Sequence, residues 1–168
     1  MNERQEQQAT YKTGVVSAID PKTARVRVRF DDLDGLETAM IPVGQRKTRE
    51  DKDYWMPDLG EHVACLMDAN LEDGVVVCAI YSDQDTPPTT DPNVRMVRFK
   101  DGAEVAYDRA AHTLTVRGVA RVVVEASDEI VLRAPRLQID AQAVQFTGDV
   151  HVAGQLMDDG GNSNHHTH

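Results

Sequence analysis

The amino-acid sequence predicts an all-β fold, with a small closed barrel in the N-terminal half and stacked short strands in the C-terminal half. Three observations lead to this prediction. Short segments of alternating polar and apolar residues begin at Tyr11 and are separated by turns rich in Asp, Gly and Pro. No segment has the apolar spacing of a convincing amphipathic helix. Beyond residue 121, apolar residues occur in pairs two positions apart, at nearly regular intervals.

The first half of the chain contains the elements of a barrel. Strands are predicted at residues 12–19 and 24–30, on either side of an Asp-Pro-Lys-Thr turn. In the second strand, valines and a phenylalanine alternate with three arginines, which indicates one buried and one exposed face. Further strands are predicted at 36–43, 62–67 and 75–81, with a charged loop at 44–53. This pattern favours a barrel of the oligonucleotide/oligosaccharide-binding (OB) type over residues 11–82, preceded by a solvated arm at 1–10.

A linker is predicted between the barrel and the second half. Residues 83–93 are rich in Pro, Asp and Thr, a composition typical of an extended, semi-rigid connection. Short alternating segments at 94–99, 103–107 and 113–117 follow, and the turns between them predict a three-stranded meander. The meander is the first portion of a C-terminal region that we assign to residues 94–153.

Five apolar pairs follow the meander, and their first residues are 8, 7, 7 and 6 positions apart. The pairs are Val122/Val124, Ile130/Leu132, Leu137/Ile139, Val144/Phe146 and Val150/Val152. Each pair fits a short strand that presents two side chains to one face. Because two inward residues per strand cannot enclose a core within one chain, other chains must supply the missing walls. The pattern therefore predicts a β-prism, an intertwined triple-stranded β-helix formed by a homotrimer.

Residues 154–168 form a histidine-bearing end. Gly160 and Gly161 permit a tight reversal, and His-His-Thr-His follows. In an extended strand His166 and His168 point to the same side, so three copies place six imidazoles around one axis. Six imidazoles suit octahedral coordination of a divalent transition metal, and they favour iron over tetrahedral zinc, with nickel and cobalt as competitors. A solvated polar tail or part of a purification tag is the alternative explanation.

Composition and charge argue against several classes of partner. The formal net charge is −10 at pH 7, which disfavours binding to nucleic acid or to an anionic membrane surface by simple Coulomb attraction. Aromatic residues make up 5% of the chain, so large side chains for a self-contained core are scarce. The N-terminal residues contain no apolar region of a signal peptide, and no run approaches a membrane span. We therefore expect synthesis in the cytosol and no nucleic-acid partner.

The remaining cysteines and histidines have simpler explanations. Cys65 and Cys78 lie in apolar strand-like segments without the close spacing of a zinc or redox motif, and we expect buried free thiols. His62, His112 and His151 are expected to be structural or solvated, because none has a plausible catalytic partner in the sequence.

Three stretches carry a resemblance to a known family. They are TGVVSAIDPKTARVRVRF at residues 13–30, YWMP at 54–57 with GEHV at 60–63, and the ending NHHTH. With these motifs, and with the order of barrel, linker, meander, paired strands and terminal histidines, the chain resembles the central spike family of contractile phage baseplates. This family includes the P2-like spikes and the membrane-piercing spikes of R-type pyocins. The resemblance covers nearly the whole chain, from about residue 11.

The resemblance implies a non-enzymatic homotrimer at the tail tip of a virion or of a phage-tail-like particle. It implies that the N-terminal barrel docks on hub proteins of the baseplate, and that the β-helix pierces the bacterial outer membrane when the sheath contracts. It also implies one iron ion per trimer, bound by His166 and His168 of each chain, with His165 outside the pair. Larger spikes of other phages have a lysozyme domain between the barrel and the β-helix. In this chain only the linker occupies that position.

Two other functions are weighed against a spike. An enzyme would need an acid/base pair, and the candidates lie in charged turns or loops without a nucleophile or His partner; they are Asp31, Asp32, Asp34, Asp51 and Asp53. An oligonucleotide- or carbohydrate-binding barrel would use the basic stripe of Arg25, Arg27 and Arg29, but no aromatic residues interleave with it. The stripe suits equally an acidic hub surface or the Asp and Glu residues of neighbouring subunits.

Overall fold

A computed structural model describes residues 9–155 and confirms the all-β prediction. These residues form nine strands, and the helical content among them is a single 3-10 turn at Asp31–Leu33. Among the described residues there is no helix with the length and apolar character needed to cross a bilayer. The chain divides into two units, Met1–Ala120 and Arg121–His168.

The first sheet contains six strands. They are β1 (Thr10–Asp20), β2 (Arg25–Phe30), β3 (Leu36–Glu37), β4 (Ile41–Pro42), β5 (His62–Met67) and β6 (Gly74–Ala79). The strand order is β3-β2-β1-β5-β6, and β4 also pairs with β2. A bridge between Val43 and Val76 joins the end of β4 to β6, where the amide of Gly44 donates to the carbonyl of Val76 at 2.8 Å. The sheet thus closes on itself, as a barrel requires.

The period-two pattern of β2 determines which side chains form the core. Val26, Val28 and Phe30 are fully buried, whereas the three arginines between them are exposed. The core of the first sheet consists of Val16, Val26, Val28, Phe30, Ile41, Val63, Cys65, Met67 and Val76. The predicted bounds of β5 and the end of β2 agree with the structure, whereas the start of β2 and both bounds of β1 and β6 differ by one or two residues.

The predicted strand at 36–43 is divided into β3 and β4. Between the pairs Arg29–Glu37 and Val26–Ile41, β2 has two residues and the other strand has three, so one extra residue must leave the ladder. The hydroxyl of Thr38 accepts a hydrogen bond from the amide of Val28 at 3.1 Å and occupies part of the gap. A local count of apolar residues does not reveal this bulge.

The second sheet is the predicted meander. Its strands are β7 (Val94–Arg98), β8 (Glu104–Asp108) and β9 (Thr113–Arg117), in the order β7-β8-β9. The β7–β8 turn is closed by the amide of Phe99, which donates to the carbonyl of Ala103 at 2.8 Å. Gly102 occupies this turn with φ +89°, a backbone conformation that glycine adopts without strain.

Candidate functional site

The most unusual surface of the described chain lies in residues 121–155, which we call the apolar-pair segment. Every residue in this range is exposed, and no strand is assigned within it. The ten side chains of the five predicted pairs are between 46% and 73% exposed. Full burial of one such side chain contributes about 1.5–3 kcal/mol. Even half of that, summed over ten side chains, is comparable with the net stability of an ordinary domain, about 5–15 kcal/mol.

The backbone of the apolar-pair segment adds a second requirement. Amide and carbonyl groups that are to lie in a dry core must pair with other backbone groups. Within residues 121–155 no strand ladder supplies such partners. The segment therefore presents both unpaired strand-forming backbone and exposed apolar side chains, which is the chemical character of a surface that associates with further chains.

The meander carries a buried carboxylate that sequence reasoning missed. Glu104 in β8 has a side chain only 8% exposed, and it accepts hydrogen bonds from Arg98 at 2.7 Å and from Arg117 at 2.6 Å. Hydrogen bonding first from Arg117 and then from Arg98 lowers the pKa of Glu104, against the opposing effect of burial. Arg98, Glu104 and Arg117 are cross-strand neighbours in one row of the meander, which brings their side chains together. Pairing the predicted strands residue by residue could have revealed this contact from the sequence.

An aromatic contact joins the barrel loop to the meander. The rings of Trp55 and Phe99 lie with centroids 5.6 Å apart at an interplanar angle of 40°. Gln45 holds the backbone of Trp55 on both sides: its amide nitrogen donates to the carbonyl of Trp55 at 3.2 Å, and its oxygen accepts from the amide at 3.1 Å. The YWMP motif therefore has a structural role in fixing this loop.

A nearby cavity does not have the features of a catalytic site. It has a volume of about 530 Å³ and includes Asp58, Glu61, Tyr81, Asp85 and Lys100 in its lining. Its lining contains neither a histidine nor a serine, threonine or cysteine nucleophile. No arrangement of nucleophile and base is therefore present in this cavity.

The carboxylates weighed as acid/base candidates are distributed over separate ion pairs. Asp31 accepts from Arg29 at 2.7 Å, and Asp32 accepts from Lys12 at 2.8 Å. In the charged loop, Asp53 pairs with Arg46 and Asp51 with Lys47. Asp34 ends the 3-10 turn with φ +55°. These groups form a charged surface, and ion pairs this exposed contribute little to stability.

The arginine stripe lies on the exposed face of β2, as predicted, and its members already have partners within the chain. Arg25 donates to the carbonyl of Met40 at 2.7 Å, and Arg27 lies 3.8 Å from Glu37. With Arg29 paired to Asp31, two of the three arginines have a carboxylate partner, whereas the carbonyl that Arg25 contacts carries no charge. These contacts reduce the charge that the stripe offers to an acidic hub or to a neighbouring subunit.

The predicted metal ligands His166 and His168 lie outside the described residues, as does His165. Residues 9–155 contain no group of three or more His, Cys, Asp or Glu side chains placed to hold a metal ion. His62 is half-buried in β5, opposite Val15 of β1. His112 occupies the β8–β9 turn with φ +52°, and His151 is exposed.

The prediction of two buried thiols is right for Cys65 and wrong for Cys78, which is exposed. The pairing of β5 with β6 is irregular: Ala64 pairs with Cys78, but the next residue, Cys65, pairs with Val76. Val77 is thus an extra residue, so Val76 takes the buried position and Cys78 lies on the exposed side. Burial, and then the charge of Cys78, raise the pKa of Cys65 to about 11.

Comparison with known proteins identifies a related phage protein. The chain is 28% identical to the spike protein of Escherichia phage P2 over 133 residues, which cover 77% of this chain and 61% of the relative. No protein-family model matches the chain. The similarity supports the P2-like baseplate spike family to which the sequence motifs point.

Proposed function

We propose that this chain is the subunit of a homotrimeric central spike at the tip of a contractile phage tail or R-type tailocin. In this role it caps the tail hub and punctures the bacterial outer membrane when the sheath contracts. The observation that carries the proposal is the apolar-pair segment, whose side chains are exposed and whose backbone lacks strand partners in a single chain. The similarity to a phage spike protein supports it independently.

A trimer would cover the exposed apolar side chains of the apolar-pair segment and give its backbone strand partners. Three copies around one axis give each level three short walls, so that the paired side chains face one another rather than water. Backbone groups then pair between chains, and no subunit can lose its structure alone. Such interwoven strands suit a device that is loaded mechanically along its axis.

The barrel is the part of the chain suited to hold the spike on the baseplate. It has its own closed core, and it is connected to the meander by the linker at 83–93. Docking on tail hub proteins through this domain leaves the C-terminal residues free to meet the envelope. The function needs no catalysis, and hydrolysis of peptidoglycan by the purified protein would contradict this part of the proposal.

The terminal histidines complete the proposed spike. His166 and His168 of three chains supply six neutral nitrogen donors, a set that fits iron or another octahedral divalent transition metal. The bound ion would cross-link residues 166–168 of the three copies. The location of the protein would then be the tail tip of the particle.

The trimer is tested by light scattering of the purified chain. We expect a mass three times the 18.6 kDa of one chain. Replacing Ile139 with Asp places three carboxylates in the predicted core and should dissociate the trimer, because an unpaired buried charge costs several kcal/mol. Gln138→Asp is the matched control, since it introduces the same charge one residue away on the outward side. A monomeric wild-type mass, or equal effects of both variants, would contradict the proposal.

A further inference from the structure

The meander has two faces of different chemical character. Strand pairing aligns Val97 with Val105 and Val105 with Val116, and two rows further on it aligns Arg95 with Tyr107 and Tyr107 with Leu114. Side chains of one row point to the same side of a sheet, and alternate rows share a face. The five apolar side chains of these rows, which we call the apolar face of the meander, therefore lie together. The opposite face carries Glu104 with its two arginines.

The apolar face is open in the single chain. Its five side chains are between 38% and 69% exposed, although the barrel and the meander belong to the same unit of the chain. The barrel therefore does not cover this face. A contiguous group of large apolar side chains in two cross-strand rows is more than scattered surface residues, and it indicates an interface.

Two features identify the occupant as other copies of the same chain. First, five of the six side chains in the two rows are apolar, and the sixth, Arg95, lies on the edge strand β7, so identical faces can meet through their apolar side chains. Second, only Gly118, Val119 and Ala120 separate β9 from the apolar-pair segment. Three residues span at most about 10 Å, so chains that associate along that segment hold their meanders at high effective concentration.

We propose that the apolar face of the meander is a subunit interface, on which the faces of three copies meet around the threefold axis. This inference rests on the trimer of the proposed function and adds the face through which the meander enters it. The ion-paired face of Glu104 then points away from the axis. Only this side of the sheet presents a group of large apolar side chains, so the meander should enter the assembly in one orientation.

Cysteine cross-linking tests the orientation with little change in packing. In a Cys78→Ser background, which removes the exposed native thiol, Val116→Cys places a thiol on the apolar face. Disulfides form between Cα atoms about 4.4–6.8 Å apart, so thiols near the axis should be oxidised readily. Three thiols around an axis form one disulfide, and about two thirds of the chains should run as a dimer on a non-reducing gel.

Thr113→Cys is the matched control. Thr113 is also exposed and lies on β9, three residues before Val116 and thus on the other face. We expect its variant to remain monomeric on the same gel. If Val116→Cys fails to fold, Val105→Cys repeats the test, because the two residues are cross-strand partners.

The possible results separate this inference from the proposed function. A monomeric Cys78→Ser protein in light scattering contradicts both. A trimer in which Val116→Cys and Val105→Cys do not cross-link, or in which Thr113→Cys cross-links equally well, overturns the inference and leaves the trimer intact. A trimer in which neither Val116→Cys nor Val105→Cys cross-links would assign the apolar face to a different partner, such as a hub protein.

Discussion

At the scale of single residues, burial and charge separate the positions that stabilise the structure from those available to partners. Phe30 and Cys65 are enclosed in the barrel, while Cys78, in the neighbouring strand, is exposed. Glu104 is the buried carboxylate of the meander, and its charge is compensated by Arg98 and Arg117. An unpaired carboxylate at this position would be costly, so the two arginines make the burial of Glu104 possible.

The lowered pKa of Glu104 predicts a dependence of stability on pH. A carboxylate whose pKa is lower in the folded than in the unfolded state stabilises the fold above the ordinary value, here 4.5. This contribution is lost as the pH falls through the folded-state pKa. Glu104→Gln removes the titrating group, so its melting temperature should lie below that of the wild type at pH 7. The difference should shrink as the pH falls below 4.5.

Thermal unfolding between pH 7 and pH 3, followed by circular dichroism, checks this expectation. Glu129→Gln is the control, because Glu129 is an exposed carboxylate in the C-terminal unit. A difference between wild type and Glu104→Gln that is constant over the whole range would show that the charge of Glu104 is not responsible.

At the scale of the elements, the two faces of a strand carry different side chains and have different roles. β2 buries apolar side chains on one face and holds locally paired arginines on the other. β8 presents Val105 and Tyr107 on one side of the meander and Glu104 on the other. In the barrel, the central strand β1 has a glycine at a position where the neighbouring strand β2 leaves no room for a side chain.

The close approach at Gly14 predicts a position-specific loss of stability. A Cβ atom at this position would lie 2.6 Å from the carbonyl oxygen of Arg29 and 2.6 Å from a methyl carbon of Val28. Gly14→Ala should therefore lower the free energy of unfolding by about 1–3 kcal/mol, the usual cost of overpacking a core. Urea unfolding of the two proteins measures the difference.

Thr13→Ala is the control for the overpacking argument. Thr13 precedes Gly14 on the outer face of β1, and its replacement should cost less than about 1 kcal/mol. Equal losses in the two variants would indicate a general weakening of β1 and would contradict a specific steric clash at Gly14.

At the scale of the whole molecule, the two units differ in how their apolar residues are used. The N-terminal unit buries nine side chains in its own barrel core. The C-terminal unit exposes all its described apolar pairs. A single chain therefore contains a barrel with its own core and a segment whose apolar side chains the same chain leaves uncovered, a combination that fits the trimeric spike proposed above.

The proposed metal site predicts that assembly and metal binding are separable. In protein purified without a nickel column, wild type should contain about one transition metal ion per three chains, since six histidines satisfy one octahedral ion. His166→Ala combined with His168→Ala should lose the metal and keep the trimer, because the apolar-pair segment holds the chains together. His165→Ala is the control and should retain the metal.

Metal analysis by mass spectrometry and light scattering on the same samples check this expectation. Loss of the trimer along with the metal would mean that the ion stabilises much more than the chain ends. Retention of the metal in the double variant would contradict the assignment of His166 and His168 as ligands.

Most of the strands could be predicted from local sequence, because side chains alternate with a period of two and turns have a recognisable chemistry. The bounds of β5 and β9, the burial of Val26, Val28 and Phe30, and the exposed arginine face of β2 could all be predicted in this way. The motifs and their order also resemble those of the spike family. For the metal ligands the sequence remains the basis of the prediction.

Other features follow from the folded chain and not from local sequence. The closure of the sheet at Val43 and Val76 and the exposure of Cys78 both depend on strand register. One extra residue in a strand reverses the faces beyond it, and local alternation does not record where that residue lies. The register is determined by packing across strands, and therefore by contacts between residues far apart in the sequence.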